Sequence, residues 1–257
     1  MPSPRSHLAL VLASPLMLLL AWDGATRFSL VEQILLPAPA TIGAALWDVL
    51  TRGYAGVSVF VHIGTSLWRV LTAFLLAAFV GVSLGLLRGL YPRIDAVCLV
   101  PFELIRPIPP LAFIPLFILW FGIGEVSKVL IIFYYAMLVV MLNTQAGVAS
   151  CPEDKIRAAR SLGASPWQVF WRVVFPASLP HVVVGLRVAL AAALSILVAS
   201  ELLGGDRGLG FVISDASTFF KTADVFVGIV LIGLIGLIAD RALTFTARRI
   251  VHWEGKT

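Results

Sequence analysis

Charge is scarce in this chain. Asp, Glu, Lys and Arg make up 13% of its 257 residues, while 60% are hydrophobic; an average soluble domain carries roughly 25% charged residues. Together with a mean hydropathy of +0.98, this excludes a soluble globular protein, which has no use for so much apolar surface. A transmembrane β-barrel is excluded as well. Its strands alternate over roughly 10 residues, whereas the apolar runs here are unbroken and about twice as long. Cysteine is nearly absent: Cys98 and Cys151 are the only two. One falls at the start of an apolar run and the other in a basic insert, so neither a disulfide nor a metal site is indicated. His7, His62, His181 and His252 are scattered, and no nucleophile–base pair stands out. The closing EGKT echoes the phosphate loop G-x-x-x-x-G-K-[ST], but Ile250 stands where the first glycine belongs and no helix follows. No catalytic group, cofactor or nucleotide site is therefore expected in this chain. The inverted repeats of many secondary transporters are also missing.

What remains is an all-α polytopic membrane protein. A helix needs about 20 mostly apolar residues to cross the hydrocarbon core, and six candidate spans fit, at 8–22, 62–87, 96–120, 128–149, 181–203 and 225–246, within a single domain of residues 1–257. The start, MPSPRSHLALVLASPLMLLLAW, has the basic beginning of a secretory signal. The WDGATRF that follows lacks a small-x-small cleavage site, so a retained first span is expected. Between the first two spans, LLPAPATIGAALWDVL is too polar and proline-broken to cross, and reads as an amphipathic segment at the membrane surface. With the N-terminus inside, the inner segments collect Arg5, Arg88, Arg93, Lys155, Arg157, Arg160, Arg172, Arg248, Arg249 and Lys256. The outer ones hold Arg27, Arg52, Lys128, Arg207 and Lys221. This bias places both termini and the basic insert in the cytoplasm.

The insert, SCPEDKIRAARSLGASPWQVFWRVVFPASLP at 150–180, carries two N-cap signatures: Ser150 with Glu153, and Ser165 with Pro166 and Gln168. Gly163 lies between them, where a left-handed cap suits glycine. The prediction is a short helix with Ile156, Ala159 and Leu162 on one face, a glycine break, and a second helix. A DNA-reading helix-turn-helix has a similar outline. Its recognition helix must present polar side chains to base edges, and here Trp167, Val169, Phe170, Val173 and Val174 are apolar. Nucleic acid is not an expected partner.

Charged groups inside spans cost about 2.5–3.5 kcal/mol on insertion scales and so have a job or a partner. Glu103 and Arg106 are three apart and could pair along one helix face. Arg187, Glu201, Asn143 and Gln145 are the other polar groups near span interiors, and together these six are candidates either for interhelical packing or for a substrate path. The third span holds Pro101, Pro107, Pro109, Pro110 and Pro115, so it must break, and a break beside a pathway is expected. GGDRGLGFVISDASTFFKTAD is an outer loop that could re-enter the membrane edge.

KIRAARSLGASPWQVFWRVVFPASLP resembles the cytoplasmic EAA loop of binding-protein-dependent ABC importer permeases, with Arg157, Ala158, Ala159, Gly163 and Pro180 aligned to that pattern. Arg157 replaces the usual glutamate, and Val173 with Phe175 and Pro176 replaces the apolar lead-in. ILLPAPATIGAAL, RPIPPLAFIPLFILWFGIGEVSKVLI, NTQAGV, ASELLGGDRGLGFVI and IGLIGLIADRAL extend the resemblance to the nitrate/sulfonate/taurine/bicarbonate branch. The resemblance implies a type I importer permease in the bacterial inner membrane: a homodimer of six-span subunits, two cytoplasmic ATPase subunits that bind ATP and Mg, and an extracytoplasmic solute-binding protein. It implies further that Ile156, Arg157, Ala158, Ala159, Leu162 and Gly163 form the ATPase-coupling surface, and that a small anion is moved by alternating access. The alternative is an ion-coupled secondary transporter, which would need a carboxylate or histidine relay at mid-depth.

Overall fold

A computed structural model describes residues 4–202 and 204–251; His252, Lys256 and the EGKT ending lie outside the described residues. Eleven α-helices follow in order: α1 Pro4–Arg27, α2 Pro39–Arg52, α3 Val59–Leu90, α4 Pro92–Ile105, α5 Ile114–Phe121, α6 Glu125–Ala149, α7 Glu153–Ser161, α8 Pro166–Val169, α9 Phe175–Leu202, α10 Leu209–Thr218 and α11 Thr222–Ile250. A 3₁₀ turn, Pro110–Phe113, leads into α5, and a π-helical turn, Phe170–Val174, joins α8 to α9. Among the described residues there is no strand, only an isolated bridge between Tyr54 and Val57. α3, α6, the continuous helix Pro166–Leu202 and α11 are each long and apolar enough to cross a membrane, and α4 with α5 makes a fifth as a bent pair. α1, 24 residues long and so about 36 Å, exposes Leu16, Met17, Leu18, Leu19 and Leu20. The architecture is consistent with the expected six spans.

α6 is the centre of the bundle. Gly81, Gly85 and Gly89, four apart on α3, lie under Val140, Thr144 and Val148 of α6; a Cβ built on Gly85 would stand 2.5 Å from Thr144 Cβ and 2.6 Å from the Met141 carbonyl oxygen. On the opposite side Gly147 of α6 meets Ser178 and His181 of α9, and Gly185 of α9 meets Asn143. Lipid tails are as apolar as leucine, so helices in a bilayer associate by close backbone approach, and small residues permit it. Ile131, Ile132, Ala136, Ala189, Ala193 and Leu197 fill the core beside these seams. A second cluster joins Ile42 and Val49 of α2 to Leu209, Val212, Ala216 and Val227 of α10 and α11. The 39–52 segment is thus an amphipathic helix with its apolar face against the bundle and Trp47 facing out.

The break in the third span is an 88° bend between α4 and the Pro110–Phe121 segment. Pro107, Pro109 and Pro110 cannot donate to a helical ladder, so α4 stops at Ile105. Two sequence expectations fail locally. The Ser150–Glu153 capping box does not form: Ser150 is still the C-cap of α6, its hydroxyl donates to the Gly147 carbonyl at 2.8 Å, and Pro152 caps α7 without a side-chain bond. Leu162 leaves the face shared by Ile156 and Ala159, because it caps α7 and points out, 88% exposed. The second helix of the insert runs straight into the expected fifth span, one helix from Pro166 through Pro180 to Leu202. The Phe175 amide bonds to the Phe170 carbonyl, and this widened turn comes just before Pro176, where a proline ring would otherwise crowd an α-helical carbonyl.

Candidate coupling surface and solute path

Three polar assemblies stand out. The first ties together the end of the bundle that carries α10. Glu201 of α9, its side chain 0% exposed, accepts hydrogen bonds from Arg69 Nη1 at 2.7 Å, from the Ser66 hydroxyl at 2.8 and 3.0 Å, and from the Gly210 amide at 2.7 Å. Arg69 is equally sealed. It donates from Nε to Glu125 at 2.6 Å, from Nη2 to the other Glu125 oxygen, and from Nη1 to the Arg207 carbonyl at 2.9 Å. The Leu209 amide donates to the Ser66 hydroxyl at 2.9 Å, and the Gly208 amide to His62 Nδ1 at 3.2 Å. His62 Nδ1 is therefore an acceptor, which leaves Nε2 as the donor to the Tyr54 carbonyl at 3.3 Å. Tyr54 donates its hydroxyl to Asp215 at 2.8 Å. Burial first, and the Asp215 carboxylate next, hold this phenol well above its ordinary range. The segment expected to re-enter is thus a ten-residue helix, α10, whose N-terminal amides sit on a buried carboxylate.

The second assembly is α7 at the opposite end. None of its residues is buried. Lys155, Arg157, Ala158 and Arg160 are exposed, while Ile156 and Ala159 rest on a small cluster with Val148, Val169 and Val174. Arg157, in the place of the usual glutamate, pairs within its own helix with Glu153 at 2.9 Å. Gly163 has φ +83°, a left-handed conformation in which a side chain is strained. The Ser165–Gln168 box is complete: the Gln168 amide donates to Ser165 Oγ at 3.3 Å and the Ser165 amide to Gln168 Oε1 at 2.8 Å. Burial pushes the Cys151 thiol at the head of this loop upward, against a smaller opposing pull from Lys155.

The third assembly is spread along the span interiors. A recess of about 240 Å³ between α3, α4 and α6 is lined by Arg88, Phe102, Glu103, Arg106, Tyr135 and Met141, among others. Arg88 is paired with Asp95 at 2.8 Å and lies over the Phe102 ring at 5.1 Å, and Gln145 donates to the same Asp95 oxygen at 2.8 Å. Glu103 and Arg106 do not pair. Arg106 lies past the end of α4 as its C-cap, and among the described residues neither has an ion-pair partner. Asn143 is turned inward, bonded to the Val139 carbonyl at 2.8 Å and packed on Gly185. Arg187 pairs with Asp240 of α11. Of the six candidates, then, Glu103 and Arg106 share a recess, Gln145 braces Arg88 through Asp95, Arg187 lies on another face, and Glu201 is locked in the α10-end knot. Ser66, Glu125, Asp95 and Asp240 were not singled out from sequence. Arg69 was not singled out either; its partner Glu201 is 132 residues away.

An all-helical bundle with several membrane-length apolar helices, a proline-broken one among them, is the architecture of a polytopic membrane protein. Residues 73–252 match the family of binding-protein-dependent transport system inner membrane components, and the chain belongs to that family. The chain is 37% identical over 240 residues to the taurine transport system permease protein TauC of Escherichia coli (strain K12), covering 93% of this chain and 87% of that one. It is 33% identical to the putative aliphatic sulfonates transport permease protein SsuC of Bacillus subtilis (strain 168), covering 93% and 86%. It is also 33% identical to the nitrate import permease protein NrtB of Leptolyngbya laminosa, covering 85% and 80%. An inward-facing structure of the MetNI methionine ABC transporter superposes with a TM-score of 0.53 at 22% identity, covering 72% of this chain and 93% of that one, and supports the fold.

Proposed function

We propose that this chain is the membrane-spanning subunit of an ATP-driven importer, working as a homodimer in the bacterial cytoplasmic (inner) membrane. Two cytoplasmic ATPase subunits bind the ATP and Mg, and an extracytoplasmic solute-binding protein delivers the solute. The solute is a small anion of the sulfonate, taurine, nitrate or bicarbonate kind, moved by alternating access. The relatives' names support this class, and so do the guanidinium groups of Arg106 and Arg187 in the spans. The excess of Lys and Arg supports a cytoplasmic position for α7 and both termini. Against an ion-coupled secondary mechanism stand the relatives, which are named as permeases of transport systems, and the buried His62, whose ring nitrogens are both committed to backbone groups.

The mounting of α7 carries the coupling reading. Its outer face is free, with Arg157 and Ala158 exposed, and it joins the 37-residue helix Pro166–Leu202 through only the Gly163 turn and a closed capping box. Ile156, Arg157, Ala158, Ala159, Leu162 and Gly163 are the residues assigned to ATPase contact, directly or through the shape of the turn. Replacing Gly163 by Val forces a β-branched residue into the left-handed region. Both solute transport and solute-stimulated ATP hydrolysis should fall, with Gly163→Asn less affected because Asn tolerates that region. Full activity of Gly163→Val, assembled at wild-type levels, would remove α7 from the coupling role.

A further inference from the structure

Arg69 of α3 and Arg187 of α9 stand in opposite circumstances. Arg69 is sealed between two carboxylates and a carbonyl. Arg187 is left open: it holds Asp240 through Nε–Oδ1 at 3.0 Å and Nη2–Oδ2 at 3.2 Å, with the two side chains 46% and 40% exposed. A guanidinium has five N–H donors in a fixed fork, so three remain without an acceptor among the described residues. Arg187 is the sole Asp, Glu, Lys or Arg between Phe175 and Ser200, and Asp240 with Arg241 are the only ones between Val225 and Ala247. A half-exposed ion pair within the stretches read as spans is costly against lipid and is best satisfied by protein or water.

The surface around the pair agrees. Arg187, Ala191 and Ser195 follow one another at steps of four along one exposed file of α9, and the Ser195 hydroxyl donates to the Ala191 carbonyl at 3.1 Å. Across a groove, α11 contributes Gly233 and Gly236, and no side chain closes the space beside Gly233. The file is narrow: Val184 and Val188 of α9 and Leu234, Leu237 and Ile238 of α11 expose apolar side chains beside it, as Leu16 to Leu20 do on α1.

We propose that the Arg187–Asp240 pair borders the water-filled path and is an anion-exchange site. A small oxoanion of carboxylate, sulfonate or nitrate shape takes the place of Asp240 on the Arg187 fork, and Asp240 returns when the anion leaves. The inference rests on the reading of this chain as a permease for a small anion. A planar fork matches such oxygens two at a time, and the resident carboxylate keeps the guanidinium neutralised between passages.

The test uses the assembled transporter in proteoliposomes with Cys98→Ser and Cys151→Ser, and Ala191→Cys as the reporter, one helical turn from Arg187. The probes are the anionic 2-sulfonatoethyl methanethiosulfonate and its trimethylammonium counterpart. The anionic reagent should label about threefold faster than the cationic one, short of the roughly tenfold of an uncompensated focused charge because Asp240 neutralises the fork at rest. Asp240→Asn should raise the anionic rate further. Arg187→Gln should abolish the preference and Arg187→Lys should keep part of it, each variant being checked for monodispersity. Absence of labelling by either reagent, or a preference indifferent to Arg187, overturns the site. A transporter that imports an anion while Ala191→Cys stays unlabelled sinks the site and leaves the proposed function. One that shows the labelling pattern but imports no anion sinks the assigned solute and leaves the site.

Discussion

Glu201→Gln tests the α10-end knot with the least change of shape. The carboxylate accepts from Arg69, Ser66 and Gly210, all at 3.0 Å or less. An amide keeps one acceptor oxygen and sets an NH₂ group against a donor, so at least one buried donor is orphaned. That costs about 1–3 kcal/mol, and breaking a buried ion pair from one side costs about 3–5 kcal/mol. Arg69 keeps Glu125, which places the net near the bottom of the second range, about 3 kcal/mol. At about 2–4 °C per kcal/mol for a chain of this size, the unfolding midpoint should fall by about 6–12 °C. Arg69→Met should be worse, because it strands Glu201 as a sealed, unpaired anion. The double variant Arg69→Met/Glu201→Gln should be milder than the sum of the two, by about 2 kcal/mol of coupling. Arg157→Ala serves as the control, since its exposed pair with Glu153 is worth less than about 1 kcal/mol. Tryptophan fluorescence of the detergent-purified chain against temperature reads all four. A Glu201→Gln midpoint within about 2 °C of wild type, less than 1 kcal/mol on that scale, or strict additivity of the pair, would refute the reasoning.

The α3–α6 seam makes a sharper contrast within one helix. Gly85→Ala puts a Cβ 2.5 Å from Thr144 Cβ and should cut the yield of folded protein, whereas Gly64→Ala meets nothing within 4 Å and should gain up to about 1 kcal/mol of helix propensity; size-exclusion yield and melting midpoint separate the two. The upward push on the Cys151 thiol keeps it protonated where a free thiol already ionises. Iodoacetamide should therefore label it more slowly than a free thiol at pH 8, by mass spectrometry, with the rate rising as pH increases; parity with a free thiol would show the site to be open. Deleting Arg172 from the π-helical turn should restore α-helical winding and turn α7 by about 100° relative to α9. The variant should still assemble, but its ATP hydrolysis should no longer respond to solute.

The four long apolar helices were legible because each is a long apolar run, and the α4–α5 break because prolines act locally. Gly163 and the Ser165–Gln168 box were legible for the same reason: the residues that decide the geometry are neighbours. The Ser150–Glu153 signature misled because a four-residue pattern does not reveal whether the preceding helix has ended; Ser150 still belongs to α6. Glu201 misled in a different way. Its position in a span marked it as polar and important, but its partners Ser66 and Arg69 lie more than a hundred residues earlier, and no local pattern links them. Asp240 was hidden beside Arg241 at what reads as a span end. Only packing α11 on α9 brings it to Arg187.

If α7 is the input, the packing decides what must move with it. The helix from Pro166 to Leu202 is 37 residues without a break, about 55 Å, with the α7 turn at one end and Glu201 at the other. Along its length Gly147 and Gly185 hold α9 against α6 at backbone distance, and Gly81, Gly85 and Gly89 hold α6 against α3 in the same way. Side chains interlocked that closely do not slide, because a shift of one residue drives a Cβ or a carbonyl into its neighbour. The knot then ties α3, α6 and α9 to α10 at the far end. On this packing α3, α6, α9 and α10 are expected to move together with α7, so that a displacement of α7 would turn the group of helices rather than flex it. The surfaces able to part are the ones this group shows to the outside. The exposed file of Arg187, Ala191 and Ser195 runs along one of them, so an anion held there would pass from one side to the other as the group turns.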